Sequence, residues 1–101
     1  IDFDETIGAV LDFAEKDGQT LVIVTSDHET GGFTLSGKKY TDVNGNIRND
    51  YRTIDPSFST GGHSATLIPV FAYGPGSEEF KGIYDNTDIF YKILKITNWK
   101  N

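Results

Sequence analysis

The chain contains 101 residues, 37% of them hydrophobic and 24% charged, which is typical of one globular unit and excludes a disordered tail. No apolar run approaches the roughly eighteen residues of a membrane span, and the absence of cysteine excludes disulfides and thiolate metal ligands. The chain has fifteen acidic and nine scattered basic residues, which give a formal charge of −6. We therefore expect neither nucleic acid nor a membrane as a partner.

The first predicted element is an amphipathic helix. Its apolar residues recur at helical spacing: Phe3, Ile7, Val10, Leu11 and Ala14. Asp4 is the expected N-cap and Gly18 the expected stop. Because Gly8 costs about 1 kcal/mol relative to alanine inside a helix, we expect this helix to depend on docking to a sheet.

The second element is the apolar and β-branched run at residues 20–25, which is too short for a helix. It predicts a central strand, buried on both faces and parallel to its neighbours. A helix, a short turn, a buried strand and then a polar loop are typical of an α/β sheet protein. Ligands in that class bind beyond the carboxyl ends of the strands.

Residues 31–62 are polar and rich in Gly, Asn, Asp, Ser and Thr, and Asn44-Gly45 is a hairpin signal. We expect a loop-rich excursion with short antiparallel strands. The apolar run at residues 67–73 predicts the next strand. Pro69 favours an edge, a strand start or a bulge there, because it removes one ladder donor.

Asn86 is the expected cap of a final helix. Its predicted apolar face comprises Ile89, Phe90, Ile93 and Leu94, with Lys92 and Lys95 outward. Six aromatic residues of this region are predicted to pack in the core: Phe71, Tyr73, Phe80, Tyr84, Phe90 and Tyr91.

Asp27 and His28 directly follow the first strand, where an α/β site is expected, and Gly31-Gly32 allows a tight turn beside them. The pair by itself is equally explained by a turn-capping carboxylate and a hydrogen-bonded histidine. His63 also lies in a glycine-flanked loop next to a strand. The residues alone therefore suggest either turn residues or a single His, His, Asp zinc site with an open position.

Four ordered blocks of this sequence resemble motifs of the alkaline phosphatase family. Residues 20–33 (TLVIVTSDHETGGF) resemble an apolar strand running into T-A-D-H-E-T-G-G-F, with Ser26 in place of the usual alanine. Residues 60–66 (TGGHSAT) resemble the G-H-T-A loop, residues 69–76 (PVFAYGPG) the P-V-F-A-Y-G-P-G strand, and residues 85–89 (DNTDI) the start of the closing helix.

The resemblance implies an α/β fold that is part of a three-layer α/β/α sandwich. Residues 1–101 are then a single unit, the C-terminal segment of the catalytic domain, with residues 31–62 as its loop-rich excursion. The resemblance places the nucleophilic serine, the phosphate-binding arginine and the remaining metal ligands upstream. We therefore expect no catalytic residue in this segment, and no activity of the segment alone.

The resemblance also implies the chemistry. Asp27 and His28 would bind one active-site zinc ion and His63 the other, and magnesium would occupy a third site. The implied reaction is phosphate monoester hydrolysis through a phosphorylated serine. Ser26 and Ser64 do not match the nucleophile motif. Glu29 could support a ligating imidazole through a hydrogen bond, but it is predicted to be an exposed loop residue. The resemblance further implies a homodimer, in the periplasm or outside the cell.

Two alternatives stay open at this level. The first is a phosphodiesterase or sulfatase of the same metalloenzyme superfamily, which would differ in its upstream nucleophile. The second is a non-catalytic α/β module in which Asp27, His28 and His63 bind a structural metal ion or stabilise turns. An isolated segment with open sheet edges would suit that second role.

Overall fold

The computed structural model describes residues 2–99, which fold as two compact units. The first unit combines the chain up to Asp27 with the chain from Ile68 onward, and the second unit is His28–Leu67. The unit predicted from the sequence, residues 1–101, extends beyond the described residues at both ends. That assignment stays a prediction.

The first unit begins with helix α1, Asp2–Asp17. The predicted cap was wrong, because the helix starts before Asp4, whose charge then lies in the first turn and favours the helix dipole. Gly18 ends the helix as predicted: it adopts a φ of +70° and donates its N–H to the Ala14 carbonyl at 2.9 Å. Ala14 is buried, whereas Phe3 is 66% exposed.

Strand β1, Val22–Val24, pairs with strand β6, Phe71–Tyr73. The predicted parallel arrangement was wrong, because the pairing is antiparallel, with Val22 opposite Tyr73 and Val24 opposite Phe71. The reason lies in the path of the chain. The chain leaves β1 at its carboxyl end and enters β6 at that same end of the pair. There, Thr25 Oγ1 donates to the Pro69 carbonyl at 3.3 Å.

A 3₁₀ turn, Ser77–Phe80, and helix α2, Asp88–Thr97, complete the first unit. The predicted Asn86 cap was wrong, because the residue before the helix is Thr87, which makes no side-chain capping bond. Lys92 was predicted to point outward. Instead its ammonium donates to the Glu79 carbonyl at 2.8 Å and lies 4.2 Å from the centre of the Tyr84 ring, which anchors α2 to the turn.

The predicted aromatic core was mostly wrong. Phe80 is buried and Tyr84 is half-buried, but the other four aromatic residues are exposed: Phe71, Tyr73, Phe90 and Tyr91. Within residues 2–99, the buried hydrophobic residues are Ala14, Val22 and Phe80. The first unit therefore presents much of its apolar surface to solvent. No helix in this part of the chain has both the length and the apolar character needed to cross a membrane.

The second unit is dominated by a hairpin of strands β3, Thr34–Thr41, and β4, Ile47–Ser57. The Asn44-Gly45 turn is confirmed, because Asp42 donates its N–H to the Asn46 carbonyl at 2.9 Å and Gly45 adopts a φ of +82°. The strands are longer than predicted. The register shifts between Gly37 and Lys38, which forms a bulge in the ribbon.

Asp42 organises the hairpin turn through its carboxylate. The carboxylate accepts hydrogen bonds from the N–H groups of Asn44 and Asn46, each at 2.9 Å, and from Arg48 Nε at 3.1 Å. The backbone hydrogen bond from Asn46, followed by the Arg48 contact, lowers the pKa of Asp42 below its ordinary value of 3.8. The ionised form is thus the one that the folded turn favours.

We predict that acidification disrupts this turn only at pH values below 3.8, the ordinary pKa of an aspartate side chain. A lowered folded-state pKa means that the contribution to stability is complete above the unfolded-state pKa and is lost as the pH falls through the folded-state pKa. A pH titration of the Asn44 and Asn46 amide NMR signals measures this midpoint. A midpoint at or above 3.8 would contradict the prediction.

Candidate metal centre

Two very short strands bring the two histidine loops together inside the second unit. Strand β2, Glu29–Thr30, pairs with strand β5, His63–Ser64, in an antiparallel ladder. The register places Thr30 opposite His63. Just beyond the ladder, Gly31 donates its N–H to the Gly62 carbonyl at 2.8 Å. The two glycine-flanked loops that the sequence singled out are therefore neighbours.

This ladder stacks the imidazole rings of His28 and His63 on each other. Their centroids are 3.4 Å apart and their planes differ by 20°. Two of the three predicted ligands, far apart in sequence, are thus in direct contact.

The surroundings of His28 orient its ring. Nδ1 lies 3.2 Å from the Glu29 carbonyl oxygen and 3.3 Å from Thr30 Oγ1. Because a carbonyl oxygen only accepts, the contact requires that Nδ1 carry the proton and donate it. A histidine that donates through Nδ1 presents its other nitrogen, Nε2, to a metal when the ring is neutral.

Glu29 was predicted to be an exposed loop residue, and this prediction was wrong. The side chain is half-buried, and its carboxylate accepts hydrogen bonds from the Gly32 N–H at 2.9 Å, the Phe33 N–H at 3.1 Å and the Ser64 hydroxyl. The Ser64 hydrogen bond, then the Phe33 and Gly32 N–H groups and the nearby His28, lower the pKa of Glu29. The carboxylate therefore joins the two histidine loops.

The glycines after His28 have a steric role. Gly31 and Gly32 adopt φ values of +86° and +56°. A side chain at Gly32 would overlap the Ser59 hydroxyl, and a side chain at Gly31 would collide with the Phe58 ring. The Gly31 carbonyl also accepts the Ser59 N–H at 2.8 Å. The Gly-Gly pair thus lets the chain turn directly beneath the next loop.

Asp27, the third predicted ligand, is the last residue of the first unit and precedes His28 in the chain. Ser26 Oγ donates to its carboxylate at 3.3 Å. Within residues 2–99, no three His, Asp or Glu side chains are grouped closely enough to bind one metal ion.

Comparison with known proteins identifies the family. The family model described as alkaline phosphatase matches residues 1–53, which is more than half of the chain. The chain belongs to the alkaline phosphatase family. The resemblance noted in the sequence motifs is confirmed.

Solved alkaline phosphatases have the same fold. The enzyme from the Antarctic bacterium TAB5 is 67% identical, and the match covers 99% of this chain and 28% of that one, with a TM-score of 0.88. A mutant of the TAB5 alkaline phosphatase, with Mg bound in the M3 site, is 69% identical, covering 99% of this chain and 29% of that one, with a TM-score of 0.89. These matches confirm the α/β fold class.

More distant relatives point the same way. Streptomycin-6-phosphate phosphatase of Streptomyces griseus is 36% identical, with 87% of this chain and 21% of that protein covered. Alkaline phosphatase 4 of Bacillus subtilis is 28% identical, with 93% of this chain and 34% of that protein covered. This alkaline phosphatase segment spans about a third or less of the length of these relatives.

The donor chemistry of the segment fits zinc. Imidazole nitrogen and carboxylate oxygen are ligands that zinc prefers, and His28 has the carbonyl partner that ligating histidines commonly use. The assignment of Asp27, His28 and His63 to two ions stays a prediction. The sequence allowed Glu29 a supporting contact to a ligating imidazole but favoured an exposed residue. Its position three and four residues before the Gly32 and Phe33 N–H groups was a signal that it could cap the turn.

Proposed function

We propose that this segment contributes part of a two-zinc site to an enzyme that hydrolyses phosphate monoesters. The observation that supports the proposal best is the stacking of His28 on His63 across the β2–β5 ladder, in a chain of the alkaline phosphatase family. Turn formation alone requires the glycines but not two imidazoles in contact. Metal binding by both histidines would account for the contact between their rings.

In this proposal, Asp27 and His28 hold one zinc ion and His63 holds the other. Zinc would supply positive charge for the phosphoryl group and would favour deprotonation of the attacking oxygen. The segment needs such a source, because its formal charge of −6 would otherwise repel a phosphate ester. The role of the segment's own residues is to orient the ligands: Nδ1 of His28 is held by the Glu29 carbonyl.

The proposal assigns the rest of the machinery to the part of the polypeptide outside this segment, including the nucleophilic serine and the other ligands. The exposed apolar side chains of α1 and β6 support further packing, as does an apolar groove of about 300 Å³ between α1 and the β1–β6 pair. Magnesium in a third site is supported by the Mg-bound TAB5 relative. A homodimer located in the periplasm or outside the cell completes the proposal.

The test is turnover of p-nitrophenyl phosphate by the complete polypeptide that carries this segment. We expect a chelator to abolish turnover and added zinc to restore it, and the isolated segment to be inactive. Bis(p-nitrophenyl) phosphate and p-nitrophenyl sulfate serve as matched substrates. Turnover indifferent to the chelator, or faster with either matched substrate, would contradict the proposal, and so would no turnover of any ester.

A further inference from the structure

We propose that Glu29 is a positioning residue, whose carboxylate fixes the His28 loop against the His63 loop so that both imidazoles are held ready for metal. This inference rests on the proposed function, because it assigns the two histidines to zinc. It goes beyond that function by giving a role to a residue that itself is not proposed to touch zinc.

The geometry places the Glu29 carboxylate at the junction of the two loops. On one side, its two oxygens accept the N–H groups of Gly32 and Phe33, which closes the turn that follows His28. On the other side, it accepts the hydroxyl of Ser64 on β5. Glu29 is the neighbour of His28 in sequence, and Ser64 is the neighbour of His63. Each contact thus lies next to a predicted ligand.

The chemistry of this junction requires a carboxylate. Three donors converge on two oxygens that can only accept, so all three are satisfied at once. The amide of glutamine would direct an NH₂ group toward at least one of these donors and lose that hydrogen bond. Alanine would leave all three donors without this partner.

Ser64 is held as the donor in its contact with Glu29. The Glu29 carboxylate can only accept, so the hydroxyl is the donor in this contact. Its oxygen accepts the Thr66 N–H at 3.4 Å and also lies 3.2 Å from Thr66 Oγ1. The contact with Glu29 therefore requires a hydroxyl group at residue 64, but it does not require that the residue be serine. Threonine keeps the hydroxyl and alanine removes it, which gives a conservative and a disruptive variant at the same position.

The second unit offers a matched control in Asp42. Its carboxylate also accepts two backbone N–H groups, from Asn44 and Asn46, and one side-chain donor, Arg48 Nε. It does so at the tip of the hairpin, within a turn that contains neither histidine. Asp42→Asn therefore removes the same kind of interaction without touching the loops that carry the predicted ligands.

The experiment measures zinc affinity of the complete polypeptide by competition with a chelator, together with the visible absorption of the cobalt-substituted protein. We expect Glu29→Gln to weaken zinc binding by about 10–100-fold and to alter the cobalt spectrum, the scale typical of residues that support metal ligands. Ser64→Ala is expected to weaken binding less, and Ser64→Thr and Asp42→Asn to leave it unchanged.

Two results would overturn the inference. The first is that Glu29→Gln binds zinc as tightly as the unmodified protein. The second is that Glu29→Gln and Asp42→Asn lose the same zinc affinity and also show the same drop in thermal midpoint. If Glu29→Gln does not fold, the zinc affinities of Ser64→Ala and Ser64→Thr are compared instead. Equal affinities of these two variants would overturn the inference. An unmodified protein without zinc-dependent turnover refutes the proposed function instead, so the two failures are distinguishable.

Discussion

His63→Ala in the complete polypeptide is expected to lower phosphate monoester turnover by more than about 100-fold and to remove one tightly bound zinc ion. Substitution of residues that merely support ligands costs about 10–100-fold, so loss of a ligand should exceed that range. The ring contact between His28 and His63 makes the expectation specific, because both imidazoles face the same small region of the second unit. Turnover and zinc content measured on the same preparations test it.

Single and double alanine variants of His28 and His63 distinguish two separate zinc ions from one shared ion. If His28 and His63 serve different ions, each single alanine variant loses one zinc ion and the double variant loses both. If they share one ion, either single variant already removes it, and the double variant adds no further loss. Full turnover and full zinc content in His63→Ala would contradict any role of this histidine in metal binding.

Gly74→Ala is expected to be the most destabilising single substitution among the glycines of the first unit. Gly74 ends β6 with a φ of +104°, which L side chains rarely adopt. A methyl group there would overlap the Thr20 carbonyl oxygen, a backbone atom that cannot move without displacing the start of β1. Strain and overlap together should lower the free energy of unfolding by about 2–4 kcal/mol.

Gly82→Ala is the matched control for this prediction. Gly82 has a similar φ of +95°, but a methyl group there would meet no atom within 4 Å. Its cost should be limited to backbone strain, about 1–2 kcal/mol. Urea unfolding of the complete polypeptide measures both variants. Equal midpoints for the two variants would show that the close approach of Thr20 to Gly74 contributes nothing.

Local features of the fold were predictable from sequence because short-range chemistry determines them. Gly18 ends α1 and Asn44-Gly45 forms the hairpin turn, since each needs only a positive φ and a nearby hydrogen bond. Element ends were less accurate: α1 starts before Asp4, and Thr87 rather than Asn86 precedes α2. Several residues can begin a helix, and packing decides among them.

The burial of aromatic residues was not predictable in the same way. Phe71 and Phe90 carry a core-like pattern, yet they are 65% and 56% exposed. An apolar side chain is buried only if another element covers it, and hydrophobic spacing does not show which element that is. The same reasoning explains Lys92, whose stem could point either way until the Glu79 carbonyl and the Tyr84 ring fixed it.

By itself, the sequence determined the family, through four ordered motif blocks, and the candidate ligands Asp27, His28 and His63, whose side chains suit zinc whatever their surroundings. Only the tertiary structure decided that β1 and β6 are antiparallel, that the two imidazoles stack, and that Glu29 joins their loops. The reason is physical: side-chain chemistry is local, whereas strand direction and the convergence of distant hydrogen-bond donors depend on where the folded chain returns.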